Sequence, residues 1–361
     1  MEIPENSSLL SETNSLTPEE AATRLGISTK TLRNWESWGW IAPAERTQGG
    51  RRRYSEQVLQ IIEATGMTER GKRIRTMKKE IEVGARDSAR AATVIAVVNH
   101  KGGSAKTTSV INLAGVFAVE KNLRVLVVDM DSQANCTIGL GFSPYTLTAK
   151  RQLFIGDVLL PGGSPQTGGG YTALHNIRDA ILHTEIPGLD LVPSSLQLSD
   201  VEIPLINAMA RETTLSRAIA HLRSDYDLIL IDCPPSLGIF TTNALWAADH
   251  VLVPVEAANY AVAGLTAIVN VVRAVRELGR EVSILGVFNT RVPAPLTNSA
   301  KDALENTKRI FASTYIDIPI SNAVASERAV EEGNPMIVSS PKHKVSESYR
   351  QLAEEVLRRV G

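Results

Sequence analysis

Between residues 94 and 114 the chain reads VIAVVNHKGGSAKTTSVINLA. Gly102 and Gly103 separate an apolar run of strand type from a run of helical character, and Lys106 and Thr107 open the second run. Glycine has no side chain to keep backbone N–H groups from converging on an anion, and the helix that follows presents its positive end there. The chemistry implied is phosphate binding. Gly102, Gly103, Ser104, Ala105, Lys106, Thr107 and Thr108 would surround a phosphate chain, with Lys106 on the β- and γ-phosphates and the Thr107 hydroxyl on Mg²⁺. The general phosphate-loop spacing asks for glycine at 100 and 105, where this chain has His100 and Ala105. Ala105 suits such a loop only with negative φ. A further lysine, Lys101, precedes the glycines without an obvious acid beside it. A plain glycine turn with two stray lysines is the simpler alternative.

Two more stretches end an apolar run in carboxylates: VLVVDMDSQANCT, with Asp129 and Asp131, and YDLILIDCPPS, with Asp232. Together with the pattern KGGxxK[ST], these resemble the ParA/MinD ATPases, which carry a deviant Walker A motif. The resemblance spans residues 93–361. It implies ATP and Mg²⁺ as cofactors, with Lys106 serving its own nucleotide and Lys101 crossing a dimer interface to the partner's. It makes Asp131 the residue that positions the attacking water, and sets Asp129 and Asp232 with Thr107 at the metal. In GVFNTR it makes Asn289 the reader of adenine. Ser132 and Ala134 depart from the proline and glycine common in the second motif. Either Asp129 or Asp232 could instead cap the helix after it. An iron–sulfur relative would need paired cluster cysteines, whereas Cys136 and Cys233 look like small packed residues.

The elements that must position these residues are legible as runs. VIAVV, RVLVVD, LDLVPS, DLILID, HVLVPV and SILGVF alternate with helix-length segments. Continuously apolar strands alternating with helices mean a mostly parallel twisted sheet with helices on both faces, an α/β fold. With 43% hydrophobic residues the chain can fill such a core. PGGSPQTGGG, at 161–170, reads as a surface loop. The tail YRQLAEEVLRRVG has apolar spacing that packs on the core, which disfavours a MinD-like membrane anchor.

Ahead of that fold the sequence changes character. Residues 1–15 read as a disordered tail. At 16–65 Thr17, Pro18 and Glu20 form a helix start that Gly26 stops, and Ser28 caps a second helix that Gly39 ends. With GWIAP and GGRRRYS, this stretch resembles the winged helix-turn-helix half of MerR-type regulators. Ser28, Lys30, Thr31 and Arg33 would face a DNA groove while Leu32 and Trp35 pack inward, and Arg51, Arg52, Arg53 and Tyr54 would form a phosphate-binding wing. A small protein-binding helical module with a charged hairpin is the alternative. Residues 66–92 read as a basic helix and linker. Residues 46–90 hold 12 Lys and Arg against 6 Asp and Glu, although the whole chain has net charge −1. A polyanion partner is suggested for that block alone, with a solvated charged linker as the alternative. No signal peptide and no membrane span are read, and two unclustered cysteines suit a reducing compartment, so a cytoplasmic protein is expected. Association with the nucleoid is implied only by the ParA/MinD resemblance.

The resemblance implies a weakly active ATPase that partitions a plasmid or secondary replicon. Its ATP-bound homodimer would bind DNA without sequence preference, and a ParB-like adaptor would stimulate hydrolysis. The N-terminal module would repress its own operon. Arg291, Lys301, Lys308, Arg309, Lys342 and Lys344 are candidates for the non-specific DNA surface. An ATP-switched transcriptional regulator and a positioning ATPase for a non-DNA cargo are the alternatives.

Overall fold

A computed structural model of the chain describes residues 15–37, 41–47, 50–64, 91–160, 175–258, 261–323, 329 and 332–361. Residues 1–14, most of the basic linker, the Gly39 helix stop and the 161–170 loop lie outside the described residues, while Ser15, read as the last residue of the tail, is in a strand. The chain divides into two compact units, Met1–Lys79 and Glu80–Gly361.

In the first unit β1 (Ser15–Leu16) leads into α1 (Pro18–Leu25) and α2 (Thr29–Ser37), followed by β2 (Glu45–Arg46), β3 (Arg52–Ser55) and α3 (Glu56–Ala64). The capping box forms as its residues predict. The Thr17 N–H donates to Glu20 Oε2 at 2.8 Å, and the Glu20 N–H returns to Thr17 Oγ1 at 3.2 Å. Gly26 ends α1 at φ 65°, a left-handed turn that glycine adopts without penalty. Leu25, Leu32, Trp35, Tyr54, Leu59 and Ile62 close a small core. The wing is the antiparallel pair β2–β3, with β1 on the other side of β3.

The second unit is built on a seven-stranded sheet of order β10-β9-β4-β8-β5-β7-β6. The strands are β4 (Thr93–Val97), β5 (Val125–Asp129), β6 (Leu182–His183), β7 (Leu189–Val192), β8 (Leu228–Asp232), β9 (His250–Glu256) and β10 (Ser283–Thr290). All six predicted runs are strands and pair in parallel. The antiparallel edge strand β6 is two residues long and has no apolar run to announce it. The central strands β5 and β8 are buried at every position, which is why their sequences do not alternate.

α4 (Lys106–Val119) is buried along nearly its whole length. Gly115 is needed there, because a Cβ would stand 2.6 Å from the Pro335 ring. α5 (Asn135–Gly139), α6 (Leu198–Ile206), α7 (Ile239–Ala247), α8 (Ala261–Glu277), α9 (Asn298–Ile310) and α10 (Lys344–Val360) follow. α10 buries Val345, Tyr349, Leu352 and Val356, so the C-terminal tail packs on the core as its spacing predicts. Among the described residues no helix is long and apolar enough to cross a membrane.

The amino-terminal edge of the sheet is tied by Asp249. Its carboxylate accepts from Arg223 at 2.9 and 3.0 Å, from Arg280 at 3.1 Å and from the Val94 N–H at 2.9 Å. Burial pushes this carboxyl up, but the Arg223, Val94 and Arg280 donors outweigh it and hold it below the usual range.

Candidate functional site

Parallel register brings the candidate residues to one edge. Val97 at the end of β4 pairs with Asp232, and Asp232 pairs with Asp129 at the end of β5. The glycine loop therefore leaves β4 beside both carboxylates, at the edge where open α/β sheets bind ligands. Gly102–Thr108 line a cavity of about 420 Å³, with Asp131 on its wall.

Lys106 is 7% exposed, and its Nζ lies 3.4 Å from the Lys101 carbonyl. Burial pushes its ammonium below the usual lysine range, against the pull of Asp232, Cys233 and Asp131. The Thr107 hydroxyl donates to Asp232 Oδ2 at 2.7 Å, while Asp232 Oδ1 is buried with no hydrogen-bond partner. Burial, then the charge of Asp129, pushes the Asp232 carboxyl well above the usual range. A buried carboxylate oxygen without a partner is costly. Beside a threonine hydroxyl it is the hard-oxygen set that suits Mg²⁺, so the residues present fit that ion. The Ser104 hydroxyl is likewise buried without a partner in the cavity wall.

Three expectations are corrected. Ala105 does not keep negative φ. It stands at φ 62°, ψ 32° as the N-cap of α4, and the neighbouring loop repeats the feature with Ala134 at φ 53° before α5. Asp129 is not placed to hold a metal. It is fully buried, and its Oδ2 accepts from the Thr137 N–H at 2.8 Å and Oγ1 at 2.7 Å, while Oδ1 accepts from the Asp131 N–H at 3.1 Å. Its task is to cap α5 and shape the loop that presents Asp131. Asn289 does not reach the cavity either. Its Nδ2 donates at 3.4 Å to the Val255 carbonyl and Thr307 Oγ1, and its Oδ1 accepts from the Tyr315 hydroxyl at 3.0 Å. The amide cross-links β10, β9 and α9 beneath the site.

Asp131 is 8% exposed on the cavity wall, and one of its oxygens accepts from the Gln133 N–H at 3.0 Å. Lys101 is 45% exposed, and its ammonium pairs with Glu256, the last residue of β9. Sequence reading missed Glu256, although a polar residue ending a parallel strand at this edge is a usable signal. It also missed the Ile320–Ala323 segment, which lines the cavity and runs alongside the continuation of β10.

In the N-terminal unit, Ser28 Oγ accepts from the Thr31 N–H at 3.0 Å and lies 2.8 Å from Thr31 Oγ1, so both side chains serve the start of α2. Leu32 and Trp35 are fully buried as expected, and Lys30 and Arg33 are exposed. On the wing Arg51 is exposed, whereas Arg52 pairs with Glu36 at 2.8 Å and Arg53 donates to the Ser15 carbonyl at 2.7 Å. Tyr54 is a correction. It is 1% exposed, and its hydroxyl donates to Glu36 Oε2 at 2.8 Å, so it belongs to the core and not to a DNA-contacting surface.

Comparison with known proteins matches residues 92–284 to an AAA domain family and residues 17–54 to the MerR family of regulatory proteins. The sporulation initiation inhibitor protein Soj of Bacillus subtilis is 36% identical over 264 residues, covering 73% of this chain and 97% of Soj. The chain belongs to the ParA/Soj family. The chromosome partitioning protein ParA of Caulobacter vibrioides, another member, is 35% identical over 275 residues, 75% of this chain and 96% of its own. The fold is shared more widely. The structure of cobyrinic acid a,c-diamide synthase from Mycobacterium smegmatis, with a bound ATP analog and magnesium, matches at TM-score 0.60 and 30% identity, over 74% of this chain and 96% of that one. To the ParA/Soj body this chain joins a MerR-type N-terminal unit.

The basic candidates on the ParA/Soj body separate into three groups. Lys301, Lys342 and Lys344 are exposed. Lys308 pairs with Asp317 at 2.6 Å and lies 5.9 Å from the centre of the Tyr315 ring, and Arg309 donates to Asn306 at 2.9 Å. Arg291 lines the cavity beside the glycine loop. Cys136 and Cys233 are buried and unpaired, as small packed residues.

Proposed function

We propose that the protein is an ATP-dependent partition ATPase of a plasmid or secondary replicon, acting in the cytoplasm on nucleoid DNA. One observation carries the ATP-dependent part of this reading: a buried lysine, a threonine hydroxyl and a carboxylate with an unpartnered oxygen converge where the glycine loop leaves its strand, while similarity to Soj and ParA supports partition. Lys106 and the loop N–H groups bind the phosphates of ATP, and Thr107 with Asp232 holds Mg²⁺. That ion would supply positive charge against the phosphate chain. Asp131, fixed by the Gln133 N–H, orients the attacking water from the cavity wall. Lys101 exchanges Glu256 for the nucleotide of a second subunit.

The ATP-bound homodimer would then present Lys301, Lys342 and Lys344 to DNA of any sequence, with Lys308 and Arg309 in support. A ParB-like adaptor raises a weak intrinsic turnover. Lys30 and Arg33 on α2 and Arg51 on the wing read an operator, most simply that of the protein's own operon.

Lys106→Ala tests the nucleotide site by abolishing ATP binding. Lys101→Ala is expected to bind ATP as a monomer but to form no dimer on size exclusion with a slowly hydrolysed analogue. A Lys101→Ala dimer equal to wild type would remove the cross-subunit role. Turnover indifferent to both DNA and adaptor would favour a transcriptional switch over partition.

A further inference from the structure

We propose that Arg291 is a second phosphate-binding cation of the nucleotide site, acting across Gly103 and separately from Lys106. The inference rests on the nucleotide reading above and assigns that site a residue which charge pattern alone places on a DNA surface. Three observations carry it.

The first is position. Arg291 lines the same cavity as the glycine loop and Asp131. A Cβ built on Gly103 would stand 3.3 Å from Arg291 Nη1, so the guanidinium lies against the loop backbone in space that a side chain at 103 would take. The second is backbone conformation. Arg291 stands at φ 53°, a left-handed geometry that an L-residue other than glycine adopts at a cost.

The third is the bracing on either side. The Thr290 hydroxyl donates to the Ser104 carbonyl at 3.0 Å, which ties the end of β10 to the loop itself. On the other side the Val292 N–H donates to the Ile320 carbonyl at 3.0 Å, and the Asn322 N–H donates to the Val292 carbonyl at 2.8 Å. An unfavourable conformation held from both sides, with its side chain turned onto a phosphate-binding loop, is the arrangement of a positioned ligand-binding residue. A planar guanidinium suits the task, since it can present two N–H groups to phosphate oxygens at once.

The test is calorimetric binding of ATP, ADP, AMP and adenosine to the full-length protein and to Arg291→Ala, Arg291→Gln and Arg291→Lys. A charged hydrogen bond to phosphate predicts that Ala and Gln each weaken ATP and ADP by about 10-fold or more, with Lys recovering part of the loss. The loss should shrink for AMP and vanish for adenosine. Unchanged ATP and ADP affinity in Ala and Gln overturns the proposal. So does an equal loss for adenosine that Lys does not restore, which would assign the guanidinium to the base. Melting temperatures without nucleotide should match wild type, and a common drop in all three variants would make the role structural and also overturn it. Lys106→Ala separates the two levels: if it binds ATP normally, the nucleotide reading itself fails, whereas its failure to bind beside an unaffected Arg291→Ala sinks only this inference.

Discussion

Replacing Ala105 by glycine is expected to stabilise the ligand-free protein, against the usual sign for a change of that kind at a helix start. The left-handed conformation at φ 62° costs an alanine roughly 1–2 kcal/mol, and glycine escapes that cost. Against this, glycine loses more backbone entropy on folding, about 0.5–1 kcal/mol. Ala105 is only half-buried, so its methyl contributes no more than a few tenths of a kcal/mol. The balance is about +0.5 kcal/mol, or roughly 1–2 °C in melting temperature for a domain of this size.

Two sites bracket the argument. Ala134 shares the left-handed backbone but is 2% exposed, so Ala134→Gly gives up most of about 0.8 kcal/mol of methyl burial and should come out near zero. Ala118 lies inside α4 and is 1% exposed, so Ala118→Gly should destabilise by about 1.5–2 kcal/mol. Scanning calorimetry without nucleotide ranks the three. If Ala105→Gly falls with Ala118→Gly, backbone strain does not govern this loop and the reasoning is wrong.

Asp131→Ala should bind ATP yet lose turnover by about 100-fold, leaving a long-lived DNA-bound dimer; normal phosphate release would show that another group orients the water. Asp129→Ala should act on stability instead, because two N–H groups and a hydroxyl lose their acceptor, at a cost of about 3 kcal/mol or more in denaturant titration. An Asp129→Ala protein of wild-type stability would refute the cap assignment. Arg33→Ala should cut operator binding by about 1–3 kcal/mol in a gel-shift titration and leave ATP-dependent binding to scrambled duplex unchanged. Equal losses on both duplexes would mean that α2 reads only phosphates.

The strands and the phosphate loop were legible because each rests on a local rule. Buried parallel strands must be continuously apolar, and a loop that wraps an anion must lack side chains at its turn. What sequence could not supply was the direction in which a polar group at a strand end points. Asp129, Asp232 and Asn289 all end strands at one edge, and motif spacing treats them alike. Packing separates them: α5 starts over Asp129 and takes its oxygens, Tyr315 and Thr307 close around Asn289, and Asp232 alone keeps an oxygen unpartnered. Tyr54 failed for a similar reason. In GGRRRYS it continues a basic run, but alternation along β3 turns it inward while Arg53 stays half-buried on the other face. Lys101 lacked an acid in sequence because Glu256 is far along the chain and meets it only through the sheet.

Asp249 and Asp232 mark the two rims of one sheet, and they differ in who provides the countercharge. At the amino rim the chain itself brings Arg223 and Arg280 to the carboxylate, so Asp249 has its countercharge in the isolated protein. At the carboxyl rim Asp232 has a hydroxyl and a partly desolvated lysine for company, and its Oδ1 accepts no hydrogen bond. Rigidity is therefore expected to be native to one rim and to depend on ligand at the other. A cation arriving with a polyanion would satisfy the open rim, and the gain would register as protection against unfolding that rises with ligand concentration. Hydrogen exchange should show this as a gradient along each strand, with amides near Asp249 slow in every state and those near Asp232 slowing only when ligand is present.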